Sequence, residues 1–263
     1  MTSAVLMIHG LGGTQDEFGA LPLALRDAGF DVHSLVLPGH SGQPEDLYGV
    51  VMEDWLRAVS QKYDEIKGRY AAVHLIGMCL GALLACEWTK TNTCPYGKLV
   101  ALAPTVYLDG WSVPWYHRLR SLHYLLPPLR RWVRIAEESP YGIKNERLRA
   151  IVKKRFERGD SFHYAWMPLQ SVWQLDRLRH KVTKRLDQVG RETLIVHARE
   201  DEFSTLRSAQ ALQTGIGAAK AHICILENSY HMVCIDNDKA RVISQVLAFL
   251  GGENPHAIAS GTS

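Results

Sequence analysis

The stretch Gly77-Met78-Cys79-Leu80-Gly81 sets a thiol between two glycines, each two residues away. It joins an apolar run, "AVHLIG" (72–77), to a helix-length stretch, "CLGALLACEWTK" (79–90). A side chain at such a strand-to-helix turn takes a strained backbone and rises above the sheet edge, where the helix N-terminus favours developing negative charge. The residues two before and two after must be small, a demand that Gly77 and Gly81 meet. A nucleophile placed in this way needs a base, and the base needs a carboxylate, in chain order nucleophile, acid, histidine. Asp201 in "HAREDEFST" and His231 in "LENSYHMVCID" follow two later apolar runs and supply that order. Cys79 is the candidate nucleophile, His231 its base and Asp201 the orienting acid, with Glu200 and Glu202 as reserve carboxylates. The turn "HGLGGT" (9–14) and the residue after Cys79 offer backbone N–H groups for an oxyanion, at Leu11 and Leu80. His9 reads as a hydrogen-bonding residue of that turn. Gln15 stands where a dinucleotide loop needs its last glycine, which excludes that reading. Two plainer accounts compete: a small buried cysteine, and a surface-loop histidine among twelve. The joint agreement in type, order and position favours the catalytic account.

Six short runs rich in Val, Ile and Leu predict buried parallel strands at 4–8, 31–37, 72–77, 98–103, 193–198 and 221–226. Helix-length stretches lie between most of them, at 17–30, 44–68 and 79–90, with two more expected at 205–214 and 237–250. The alternation predicts an α/β fold, an open and mainly parallel sheet of about six strands with helices on both faces. Cys79, Asp201 and His231 then share the edge at the strands' C-terminal ends. Residues 104–191 break the pattern and show no strand-like alternation, so they predict a helical cap over that edge. The body is expected to comprise 1–103 and 192–250, and the Gly/Ser/Pro-rich tail 251–263 to be flexible. The cap holds 18 Lys/Arg against 8 Asp/Glu, whereas the remainder holds 12 against 19. That asymmetry fits either an acidic carrier or anionic surface, through residues such as Arg118, Arg120, Arg130, Arg131 and Arg134, or a solvated helical face. No nucleic-acid-reading motif accompanies the charge. Five cysteines without CxxC or His/Cys ligand spacing suggest neither zinc nor a disulfide scaffold. The short N-terminal apolar run predicts no signal peptide or transmembrane segment, and hence a cytoplasmic protein.

With "HGLGG", "LPGHSG", "GMCLGA", "HAREDEF" and "SYHMVCID" in view, the chain resembles the α/β-hydrolases, and within them the small bacterial carboxylesterases and monoacylglycerol lipases. The likeness covers nearly all of the chain outside the insertion. It implies the α/β-hydrolase fold, a small helical cap and hydrolysis of carboxylic esters without cofactor or metal. Residue by residue it puts nucleophile, acid and base at Cys79, Asp201 and His231, with the Leu11 and Leu80 amides as oxyanion donors. The departure is Cys79, because those esterases carry serine there. Dienelactone hydrolases and polyhydroxyalkanoate synthases do use G-x-C-x-G, so a native thiol and an exchanged serine both stay open. Sulfur leaves more readily than an alkoxide, which predicts a preference for activated acyl donors such as thioesters. Aromatic and aliphatic bulk in "GWSVPWYHRL", "LHYLLPPLRRWVRI" and "SFHYAWMPLQ" suits a small-molecule substrate with an apolar acyl group, or simply packs the cap. Acyl transfer to an alcohol or amine, and ligand binding without turnover, are the alternatives to hydrolysis.

Overall fold

The computed structural model describes residues 2–40, 42–92, 97–113, 132–159 and 163–251. Its main sheet has six parallel strands in the order β2-β1-β3-β4-β7-β8. These are β1 (Ser3–Ile8), β2 (Asp31–Leu35), β3 (Ala72–Met78), β4 (Leu99–Leu102), β7 (Thr193–Ala198) and β8 (Ala221–Leu226). All six runs expected from the sequence are strands of this sheet. Side chains alternate between its two faces, as a period of two requires. Ala4, Leu6 and Ile8 of β1 join one core cluster while Val5 and Met7 join the other. In β4, Leu99 and Ala101 divide from Val100 and Leu102 in the same way.

Helices cover both faces. Trp55, Val59, Tyr63 and Ile66 of α2 (Met52–Lys67) pack in the first cluster, with Ala209, Leu212 and Ile216 of α6 (Leu206–Ile216). Leu21 and Leu25 of α1 (Leu21–Asp27), with Val242, Val246 and Phe249 of α7 (Lys239–Gly251), fill the second. The central helix, α3 (Leu80–Thr91), is buried from Leu80 to Lys90 because protein surrounds it. The stretch 44–68 is not one helix. A 3-10 turn, Pro44–Leu47, is separated from α2 by Gly49 at φ +85°, a left-handed conformation that glycine adopts freely. Residue 94 and the tail from 252 onward lie outside the described residues.

The insertion holds helices, as expected, and also a short strand pair. Besides α4 (Glu146–Arg158) and α5 (Leu169–Val182), it contains an antiparallel pair, β5 (Arg134–Ala136) with β6 (Trp166–Pro168). Three residues per strand are too few to display alternation, and the partners are distant in sequence, so local pattern carries no sign of the pairing. Asn145 caps α4 through the Leu148 N–H at 3.0 Å, and Gly159 ends it at φ +72°. Leu175, Leu178 and Val182 of α5 enter the same cluster as α3. The buried Lys90 ammonium pairs with Glu87 at 2.7 Å and donates to the Val182 and Lys184 carbonyls at 2.8 and 2.6 Å. A cation thus closes the carbonyl end of α5 and ties it to α3. Among the described residues no helix is long and apolar enough to cross a membrane.

Candidate active site

Register brings the site together. Ile8 of β1 lies opposite Gly77 of β3, Met78 opposite Leu102 of β4, and Leu102 opposite Val196 of β7. The segments leaving those strands therefore meet on one edge. Cys79 begins the turn into α3 at φ +50° and ψ −108°, a conformation that a residue with a side chain adopts only under strain. Its N–H donates to the Leu102 carbonyl at 2.9 Å, so β4 holds the turn in place. Gly77 and Gly81 are small for a contact reason, and neither has a positive φ. A Cβ at Gly77 would collide with the Gly81 carbonyl, and one at Gly81 with the Ile8 carbonyl. The helix therefore begins directly against the end of β1.

His231, in the segment after β8, is buried and hydrogen-bonds Asp201 through Nδ1 at 2.7 Å. The Asp201 carboxylate is fully enclosed. Its Oδ1 accepts the Phe203 and Ser204 N–H groups at 2.9 and 3.1 Å, and His197 Nε2 stands 3.8 Å from Oδ2. Burial pushes the Asp201 pKa up, but the charge and hydrogen bond of His231, with help from His197 and the Phe203 amide, outweigh it. The carboxyl is held below the usual range. Burial would depress the imidazole, yet the charge of Asp201, then that of Cys79, and hydrogen bonds to both raise His231 well above its ordinary value. With Nδ1–H given to Asp201, Nε2 is the nitrogen left to take a proton from sulfur. The Cys79 Sγ also lies 3.3 Å from Thr105 Oγ1.

Of the three carboxylates in "REDEF", Asp201 alone holds His231. Glu200 points outward and pairs with Lys144 at 2.9 Å, while Glu202 turns into a cavity. Leu11 lines the same cavity, on a turn closed by the Gly13 N–H to the Gly10 carbonyl at 3.3 Å. Leu80 is the first residue of α3, where the helix has no internal acceptor for its N–H. His9 spans the turn: Nδ1 bonds the Gly10 carbonyl at 2.8 Å and Nε2 accepts the Leu37 N–H at 3.1 Å. Burial lowers its pKa to about 4, so it serves as a neutral bridge between β1 and the segment after β2.

The cavity encloses about 840 Å³. Cys79 and His231 lie at its floor, and Ile135, Val152, Phe156, Leu169, Val172 and Leu175 from the insertion supply apolar walls. Polar groups in it that the sequence reading did not point to include Glu17, Thr105, Glu137 and His163. Thr105 had a usable signal, since it follows β4 on the same edge as the other site residues. Glu17 hydrogen-bonds the Gly10 N–H, and burial pushes its pKa up to about 7. Burial raises Glu137 as well, and lifts Glu202 to about 7. Of the five arginines named from the sequence for an acidic partner, Arg134 alone is described; it is exposed, stacks on Trp166 at 4.1 Å and reaches Glu45 at 3.7 Å. Arg118, Arg120, Arg130 and Arg131 lie outside the described residues. Among the described residues no group of three His, Cys, Asp or Glu side chains is placed to hold a metal ion.

Comparison with known proteins agrees with the fold. The chain is 23% identical over 248 residues to a carboxylesterase of Bacillus subtilis (strain 168), covering 94% of this chain and 92% of that protein. It is 25% identical over 255 residues to a thermostable monoacylglycerol lipase of Bacillus sp. (strain H-257), covering 93% and 89%. A solved structure described with LipS and LipT, two metagenome-derived lipolytic enzymes, superposes with a TM-score of 0.81 at 21% identity, over 96% of this chain and 95% of that one. The model of the alpha/beta hydrolase family matches residues 5–245, and the chain belongs to that family.

Proposed function

We propose that this protein hydrolyses a carboxylic ester or thioester with an apolar acyl group, through an acyl-enzyme on Cys79. His231 takes the thiol proton through Nε2 as sulfur attacks the carbonyl carbon, and Asp201 holds the imidazole and offsets its charge. The Leu11 and Leu80 N–H groups face the oxygen as it becomes negative. Collapse of the tetrahedral intermediate expels the leaving group, which receives the proton from His231. Water, activated by the same imidazole, then releases the acid and restores the thiol. The observation that carries this reading is the strained Cys79 backbone in one cavity with His231, which Asp201 holds at 2.7 Å, among apolar walls. The names of the Bacillus relatives support ester cleavage.

The cysteine sets the leaving-group preference. A thiolate leaves a tetrahedral intermediate more readily than an alkoxide does, so thioesters and aryl esters turn over faster than alkyl esters of the same acid. Residues 104–191 serve as the cap and supply most of the apolar wall. The basic cap, with 18 Lys/Arg against 8 Asp/Glu, is the part of the chain that would meet an anionic carrier or interface. The buried free thiols Cys86, Cys224 and Cys234 suit a reducing cytoplasm.

The test is release of p-nitrophenol from short- and medium-chain p-nitrophenyl esters. Cys79→Ala is expected to lower kcat/KM by about a thousandfold or more. Cys79→Ser restores turnover of alkyl esters if the rest of the site is an ordinary serine-esterase frame, and lowers turnover further if the site is tuned for sulfur. An alanine variant as active as the parent overturns the acyl-enzyme.

A further inference from the structure

The cavity also carries carboxyl groups that the acyl-enzyme scheme leaves without work. Glu202 is 1% exposed and lines the cavity. Its Oε1 accepts the Gly142 N–H at 2.7 Å, while Oε2 is buried with no hydrogen-bond partner among the described residues. Glu137 and Glu17 line the same space, and the carboxyl of Glu137 stands 4.0 Å from His163 Nδ1. Among the described lining residues Arg134 is the sole Lys or Arg side chain, and its guanidinium is turned outward onto Trp166 and Glu45. A buried carboxyl oxygen without a donor costs free energy, and a second carboxyl nearby deepens that cost. A bound group that carries hydrogen-bond donors and positive charge offsets both penalties. A hydroxyl would offset only the first, and a carboxylate would worsen the second.

We propose that Glu202 and Glu137 form a subsite for a primary ammonium group carried on the apolar chain of the substrate. The subsite rests on the reading of this cavity as the substrate cavity, and it narrows the substrate class to amine-bearing esters or thioesters. Free carboxylates of the same chain length are turned away.

The groups that face the pair set its pH dependence. Glu202 faces His231 and Asp201 from the sheet edge and Glu137 from the cap, while Glu137 faces His163, His231 and Glu138. Burial, foremost, lifts Glu202 to about 7, so its carboxyl is largely protonated in mildly acidic solution, and burial raises Glu137 in the same direction. The ammonium binds the ionised forms. Its affinity therefore climbs as pH rises through about 7, while the amine stays charged.

The experiment is calorimetric titration of the protein with hexylammonium, 1-hexanol and hexanoate at about pH 6 and about pH 8. It reads binding without turnover, so a failure of the subsite is distinguishable from a failure of the acyl-enzyme. Hexylammonium is expected to bind at least about tenfold tighter than 1-hexanol at the higher pH, with a smaller margin at the lower one, and hexanoate most weakly. Glu202→Gln keeps an acceptor for Gly142 but removes the charge, and it brings hexylammonium down to the level of 1-hexanol. Glu137→Gln lowers it in the same direction and serves if the first variant does not fold. The proposal is overturned if 1-hexanol binds the parent protein as tightly as hexylammonium, or if hexylammonium binding is unchanged in a folded variant.

Discussion

The cavity has two walls of different origin. The sheet-edge wall carries Cys79, Asp201, His231 and the Leu11 turn, each a few residues beyond the end of a strand, with strand register setting their spacing. The cap wall carries Glu137, His163 and most of the apolar lining, brought together by a three-residue strand pair and two helices. On the first wall nearly every polar group has a partner: Asp201 accepts two amides and an imidazole, and His231 lies between Asp201 and the thiol. The exception stands beside Asp201 in the same loop: Glu202 has one oxygen bonded and one without a partner among the described residues. Full pairing suits groups that must hold one geometry through a reaction. An unmatched acceptor suits a surface completed by what binds to it.

The largest effect expected from breaking this contrast is on catalysis. Asp201→Asn keeps the shape but loses the charge that supports the imidazolium, and kcat/KM should fall by about a hundredfold to ten-thousandfold with little change in KM. Steady-state kinetics on one aryl ester decides it, and near-parental activity would remove Asp201 from the scheme.

A middle-sized effect belongs to stability. Glu17 titrates near 4.5 when unfolded and at about 7 when folded, so between those values the native state holds a proton that the unfolded state has lost. Stability therefore falls as pH rises across that window and stays lower above it. Glu17→Gln should match the parent protein below about pH 4.5 and exceed it above pH 7 by up to about 3 kcal/mol. Urea unfolding of both proteins across the window measures the difference, and a constant difference at all pH values would contradict the assignment.

The smallest effect is one residue away from Asp201. Glu200→Ala removes an exposed pair with Lys144 and should change stability by less than about 1 kcal/mol, with no change in turnover. A large loss of activity would mean that the two neighbouring carboxylates share the orienting role.

The same division explains what could be read from the sequence. The six strands were legible because strands buried on both faces are continuous apolar runs. The site residues were legible because each follows such a run, in the chain order that a shared sheet edge requires. The glycines flanking Cys79 announced a close approach of backbone to backbone, and Gly81 against Ile8 is that approach. Glu202 was legible as a carboxylate in the right loop but not in its direction: with Asp201 turned to His231, its neighbours point elsewhere, one outward and one into the cavity. Glu17, Glu137 and His163 had no local signature. Their meaning comes from contacts made across long stretches of chain, as does the pairing of Arg134–Ala136 with Trp166–Pro168.

The most direct test of the central claim is to catch the acyl group. The protein is mixed with p-nitrophenyl hexanoate, quenched in acid within the first turnovers, and weighed intact and after digestion by mass spectrometry. The account predicts one hexanoyl adduct, confined to the peptide that contains Cys79, lost again on incubation at neutral pH and absent from Cys79→Ala. An adduct on another residue, or full turnover with no adduct in the parent protein while Cys79→Ala stays active, would contradict it.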